Sequence, residues 1–159
     1  MTNRRASETF YPLYVEVSEI CIHSDYSHEP YGEWSESSLC RVEGAYTKDR
    51  PNCEEIPVGF IPQSGRTVYV VTQSWGNGDS FGRRDGLLRI IGVFADQQFA
   101  ENVERIIESA YESYHMSTDR DSARYVDYKD EAGNSCRYDL NVSYFDDVYS
   151  ISVDKIKVA

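Results

Sequence analysis

The sequence predicts an α+β fold: an antiparallel or mixed sheet of about six strands, with one long amphipathic helix packed on one face. Three observations carry that reading. Apolar residues alternate with polar ones in several segments, which is the side-chain period of a half-buried strand. Two segments, Thr67 to Gln73 and Leu87 to Phe94, are apolar and β-branched on both faces, as in strands covered from both sides. A single long segment places its apolar residues at three- and four-residue steps, the period of a helix laid on a core.

Taken in order, Leu13, Val15 and Val17 alternate with polar neighbours, and Ile20 and Ile22 resume one register later. That pattern predicts a strand with a bulge near Glu19. Leu39 to Tyr46 is a weaker strand candidate. The stretch 48–64, with Pro51, Pro57 and Pro62, reads as a long irregular loop. The two apolar strands that follow are joined by a segment too rich in glycine to suggest regular structure. Asp96 then caps a helix over 96–116, whose apolar face gathers Phe99, Ala100, Val103, Ile106, Ile107, Ala110, Tyr111 and Tyr114. A strand from Arg124 to Tyr128, a turn over Glu131-Ala132-Gly133-Asn134 and a strand from Cys136 to Tyr144 complete the alternation, with a last strand through Tyr149, Ile151 and Val153.

At 159 residues the chain is expected to form a single domain over 1–159, with 1–9 flexible. Its formal net charge is −11. Residues 1–63 hold 11 acids and 5 bases (−6), residues 64–92 hold 2 and 4 (+2), and residues 93–159 hold 14 and 7 (−7). So acidic a chain is poorly suited to phosphate backbones or anionic membranes, which recruit clustered Lys and Arg. A partner with a basic surface is expected, drawn in by electrostatic steering. No apolar run has the length of a membrane span and the first residues lack the apolar core of a signal peptide, so the expected compartment is the cytoplasm.

Sequence motifs for catalysis are missing. There is no GxSxG elbow, HExxH pair or GxxxxGK[ST] phosphate loop, so no catalytic residue and no cofactor is assigned. Cys21, His23, His28, Cys40 and Cys53 include ligand types for zinc. Their spacing matches no compact zinc module, and no metal site is expected.

Three surfaces remain as binding candidates. Glu29, Tyr31, Glu33, Trp34 and Glu36 interleave aromatic rings with carboxylates around a Pro-Tyr-Gly turn, a combination that pairs with guanidinium groups and stacks on them. The alternative is that Trp34 packs inward and the acids are merely solvated. Asn77, Asp79, Ser80, Phe81, Arg83 and Arg84 lie in the glycine-rich segment, where exposed amides and two arginines could hold a phosphate. Turn chemistry alone also accounts for those glycines. Glu101, Glu104, Glu108 and Glu112 form a carboxylate stripe along the outer face of the helix, about 16 Å long at the usual rise. A solvated face is the ordinary role of such a stripe; mimicry of a phosphate backbone is the sharper one.

The motifs Tyr31-Gly32-Glu33-Trp34-Ser35-Glu36-Ser37 and Gly78-Asp79-Ser80-Phe81-Gly82, the latter between two strands and ahead of an Asp-capped helix, resemble small bacteriophage-encoded accessory proteins with a GDSFG loop. The resemblance spans roughly residues 11–115. It implies a viral origin and a role during infection, of the kind played by anti-CRISPR proteins and other inhibitors of bacterial defence. The expected function is therefore non-enzymatic: inhibition of a basic host protein such as a defence nuclease or its nucleic-acid-binding groove. The alternative is a small-ligand binder that sequesters a nucleotide signal through the glycine-rich loop.

Overall fold

A computed structural model describes residues 9–24, 35–78, 84–116, 118, 123–140 and 148–159. Along the chain these form β1 (Tyr11–Ser24), β2 (Ser35–Tyr46), β3 (Cys53–Val58), β4 (Thr67–Gly78), β5 (Arg84–Phe94), α1 (Gln97–Met116), β6 (Tyr125–Lys129), β7 (Ser135–Asp139) and β8 (Val148–Lys157). The fold is α+β, with one helix and eight strands among the described residues.

The expected single sheet of about six strands needs correction. Six strands are strung in the order β3-β1-β2-β5-β4-β8, but β2 and β5 meet through only two parallel pairs, Ser37 with Arg84 and Ser38 with Asp85. The order therefore divides into two three-stranded halves, and β6 and β7 form a separate hairpin. The result is three small sheets. Leu13, Val15, Val42, Ile56 and Val58 from the first half pack against Val68, Val70 and Val93 of the second. On its opposite face the second half presents Val71, Phe94 and Ile151 to Ala100, Val103, Ile107 and Tyr111 of α1. β4 and β5 are thus a middle layer buried from both sides, which is why their sequences are apolar on both faces. Each fully buried aliphatic side chain in these layers stabilises the fold by about 1.5–3 kcal/mol.

β3 lies inside the segment expected to be irregular. It pairs with β1 from Tyr11 opposite Val58 to Glu16 opposite Cys53. Its proline, Pro57, is tolerated because it stands opposite Pro12 on an outermost strand, where the missing N–H is not demanded by a neighbour on the far side. Likewise Trp75–Gly78 and Arg84–Gly86, expected to be loop, continue β4 and β5. The ladders with β5 and β8 on either side, in which Gly76 stands opposite Gly86 and Val148, outweigh the low strand preference of glycine.

The expected bulge near Glu19 is also displaced. The register shifts between Glu16 and Val17, opposite Gly44 and Val42, so the extra residue is Glu43 in β2. A second shift makes Ile91 the extra residue of β5, with Val71 opposite Gly92 and Thr72 opposite Ile90. Gly92 has a packing reason. A Cβ there would lie 3.0 Å from Phe94, whose ring sits 5.5 Å from Phe99 and edge-on to Tyr128 at 6.4 Å.

The helix agrees with its predicted span. Asp96 accepts from the Gln98 amide through Oδ1 at 2.9 Å, the geometry of an N-cap. Ile106 departs from the expected buried stripe. It is 42% exposed, whereas Ile107 is fully buried, so the helix turns the Ile107 side inward.

Thr9, included in the expected flexible terminus, is held through both its N–H and its C=O by the Asn134 amide. Of the predicted strand from Cys136 to Tyr144, β7 ends at Asp139, and Val142 and Tyr144 lie outside the described residues.

Candidate functional site

Two surfaces stand out once the elements are in place. The first is the outer face of α1. Its apolar residues at 100, 103, 107 and 111 bind it to the sheet, which leaves Glu108 and Glu112 exposed and Glu101 and Glu104 half-buried. The carboxyl of Glu104 is held above the usual carboxylate range, first by partial burial and then by repulsion from Glu108 and Glu101, with Arg105 acting the other way. Arg105 is itself turned toward Asn102, to which it donates. Negative charge along this face is therefore crowded and incompletely balanced.

The second surface is a cleft of about 330 Å³ between β3, β5 and β7. Its walls are the consecutive residues Glu54–Gly59 on one side and Ser135–Arg137 on the other, with Ile90–Phe94 between them. Consecutive residues of a strand point to opposite faces. Walls made of unbroken runs are therefore strand edges, seen backbone-on.

The hairpin wall is held rigidly. At its turn Asp130 accepts from the amides of Ala132 and Asn134, each at 2.9 Å, and from the Asn134 side chain at 2.9 Å. Beside it, Glu131 accepts from the amides of Ala95 at 2.7 Å and Asp96 at 3.2 Å, which fastens the turn to the start of α1. Burial raises the Glu131 carboxyl above its ordinary range, and those two amides pull it back down. Tyr128 donates to the carbonyl of Ile91 at 3.3 Å. At the far end Arg89 donates to the carbonyl of Asp139 at 3.0 Å and lies 4.7 Å from the centre of the Tyr138 ring.

Beneath the hairpin is a buried polar cluster. Tyr138 donates to the Gln73 amide oxygen, Gln73 donates to the Tyr111 hydroxyl, and Tyr111 donates to the carbonyl of Leu140 at 2.7 Å. Burial is the main cause that raises the Tyr138 hydroxyl above its ordinary range. Both phenols act as hydrogen-bond donors.

The structure places the predicted site residues unevenly. Glu104, Glu108 and Glu112 share the outer helix face. Glu36 is in β2 opposite His23, while Glu29, Tyr31, Glu33 and Trp34 lie outside the described residues, as does His28. Asn77 is in β4 opposite Asp85, and Arg84 is in β5 opposite Gly78. Asp79, Ser80, Phe81 and Arg83 lie outside the described residues. Among the cysteines, Cys21 is opposite Ser38, Cys40 is opposite Glu19, and Cys53 opens β3 opposite Glu16. Sequence reasoning missed the cleft, because its walls come from segments far apart in the chain. The Glu-Ala-Gly-Asn turn was the one signal of it.

Comparison of the chain with protein-family models, curated proteins and solved structures finds no match.

Proposed function

We propose that the protein acts by binding, and that the carboxylate face of α1 docks against a basic surface of another protein. The observation that carries this reading is the placement of Glu101, Glu104, Glu108 and Glu112 along the outer face of α1; burial first, and then repulsion from Glu108 and Glu101, raises the Glu104 carboxyl. A cationic partner would relieve that repulsion, and the net charge of −11 would steer the encounter. The resemblance to phage-encoded accessory proteins supports a host protein as that partner, and inhibition as the outcome. A groove that normally holds nucleic acid offers the required basic surface.

The nucleotide-binding alternative has weaker support. A phosphate cradle needs free backbone amides, but Gly76, Asn77 and Gly78 belong to a strand paired with β5.

Affinity capture from a bacterial lysate, followed by binding kinetics on the captured protein at several salt concentrations, tests the proposal. Glu104→Gln, Glu108→Gln and Glu112→Gln together should slow association, and salt should weaken the parent's binding because ion pairing is screened over about 8 Å at physiological ionic strength. Association that ignores both salt and the triple substitution would remove the basis for this reading.

A further inference from the structure

The cleft between β3 and β7 has a hydrogen-bonding pattern that can be read from its registers. Pro12 stands opposite Pro57 in the β1–β3 ladder. Two prolines have no N–H to exchange, so theirs is a non-hydrogen-bonded pair. Alternation then turns the polar backbone groups of Leu13, Ile56, Val15 and Glu54 toward each other across the ladder. Those of Glu55 and Pro57 point to the opposite edge. With Pro57 lacking a donor, the cleft-lining residues Glu54–Val58 offer on that edge only the Glu55 N–H and the carbonyls of Glu55 and Pro57.

The β6–β7 ladder can be read likewise. The Leu140 amide donates to the Arg124 carbonyl at 2.9 Å and the Asp130 amide to the Asn134 carbonyl at 2.9 Å. Between those two points the register pairs Val126 with Tyr138 and Tyr128 with Cys136. Alternation makes these the hydrogen-bonded pairs, so Ser135, Arg137 and Asp139 direct their backbone groups away from β6. The Asp139 carbonyl meets Arg89 of β5 at 3.0 Å, so this edge faces β5, and Ser135 and Arg137 line the cleft beside it. Among the described residues no strand pairs with β7 on that side. Ser135 and Arg137 therefore present complete N–H and C=O sets to the cleft.

Charge selects what could use them. The charged residues lining the cleft are Glu54, Glu55 and Asp130 against Arg137. Arg137 is already bound by Asp127 at 2.8 Å, and Asp130 is occupied by its own turn. Among the described residues no cation is within salt-bridge distance of Glu54 or Glu55. Ile90, only partly buried, contributes apolar surface between the walls.

We propose that this cleft binds an extended, Lys- or Arg-containing segment of a partner protein, which adds as a third strand to β7. Backbone pairing with Ser135 and Arg137 would hold the segment. Its basic side chains would meet Glu54, which points to the opposite face of β3 from Glu55, and its apolar ones would cover Ile90. The site is separate from the helix face and stands without it.

A fluorescein-labelled decapeptide of alternating Lys and Val, read by anisotropy, tests the site against an alternating Glu-Val peptide and a Lys-Pro peptide that lacks every second amide. The Lys-Val peptide alone should bind saturably. Arg137→Pro removes an outward amide and should weaken it by about tenfold or more, equivalent to the loss of a strong hydrogen-bonding contact. Glu54→Lys with Glu55→Lys, at exposed positions, should have a similar effect and keeps the test decisive if Arg137→Pro does not fold. The triple Glu→Gln variant of α1 should change the affinity by less than about threefold, since screening confines its influence. Absence of Lys-Val binding, equal binding of Lys-Pro, or an unchanged affinity in the Glu54→Lys/Glu55→Lys variant would overturn the proposal. So would an equal loss from the helix variant, which would show that overall charge and not the cleft attracts the peptide. A parent dimer that the Lys-Val peptide dissociates in sedimentation experiments would assign the cleft to a second copy of the chain, also overturning it.

Discussion

The two apolar clusters on either side of the β4–β5–β8 layer are built by different chemistry. The cluster beneath β1 to β3 consists of Leu13, Val15, Val42, Ile56, Val58, Val68, Val70 and Val93 with Ala45, Phe60 and Val158. It is aliphatic but for one ring, and its cohesion comes from apolar area removed from water. The cluster beneath α1 and the hairpin holds Tyr111 and Tyr138, whose hydroxyls are joined through Gln73. Apolar burial is non-directional and tolerates small shifts, whereas a buried polar chain is satisfied in few arrangements. The difference teaches that the hairpin, one wall of the cleft, is positioned by directional bonds, while the first half is held mainly by volume and area.

The largest effect tests whether α1 faces inward as described. Ile107→Ala should cost about 2–5 kcal/mol in chemical denaturation. Ile106→Ala, one residue away on the exposed side, should change stability by no more than about 0.5 kcal/mol. Equal losses would mean that the helix is rotated and that the second cluster is wrongly composed.

Next comes the polar chain. Gln73→Leu keeps much of the volume but leaves the buried Tyr138 hydroxyl without its acceptor, while Tyr111 still donates to the Leu140 carbonyl, at a cost of about 1–3 kcal/mol. Combined with Tyr138→Phe it should be non-additive, with a coupling of about 0.5–3 kcal/mol. Additive losses would put the second cluster on the same footing as the first, with shape alone deciding its packing.

Asp96→Ala removes the N-cap and should cost about 1 kcal/mol. Asp96→Asn retains a capping oxygen and should lose less. A thermal melt that ranks them the other way would show that the clamp by Glu131, not the Asp96 side chain, secures the start of the helix.

The smallest effect is a pH dependence set by three partly buried carboxyls. The Glu104, Glu131 and Asp154 carboxyls are all raised in the folded protein, with burial the leading cause in each. A raised carboxyl means that the native state binds its proton more tightly than the unfolded chain. These groups therefore favour folding most at pH values below their ordinary carboxylate range. That contribution is lost as pH rises through the range just above it. Asp127 works in the opposite direction, because Arg137 lowers it. Glu104→Gln should flatten the fall of the denaturation midpoint between mildly acidic and neutral pH. A slope unchanged by this substitution would assign the dependence to other carboxylates.

Some of this organisation was legible in the residues. Helical spacing from Phe99 to Tyr114 and the cap at Asp96 identified α1, because period and capping are local properties. The same spacing placed Glu104, Glu108 and Glu112 together on one face. It could not distinguish Ile106 from Ile107, since a broad apolar stripe permits a range of rotations and only contact with Val71 and Phe94 selects one. β3 was hidden by Pro57 and by Pro51 and Pro62 on either side of it, because a proline marks a break in isolation and is harmless at an open edge. The strand character of Trp75–Gly78 was hidden by its glycines, and only pairing with β5 and β8 reveals it.

The sequence by itself determined the α+β class, the helix and its acidic face, and the double-sided burial of β4 and β5, because alternation, spacing and charge act over a few residues. Only the tertiary structure decided that the strands divide into three small sheets and that the open edges of β3 and β7 border one cleft. Backbone hydrogen bonds are chemically alike in every strand, so a strand's residues announce that it will pair without naming its neighbour. That choice falls to the fit between distant faces, which exists only once the chain has folded.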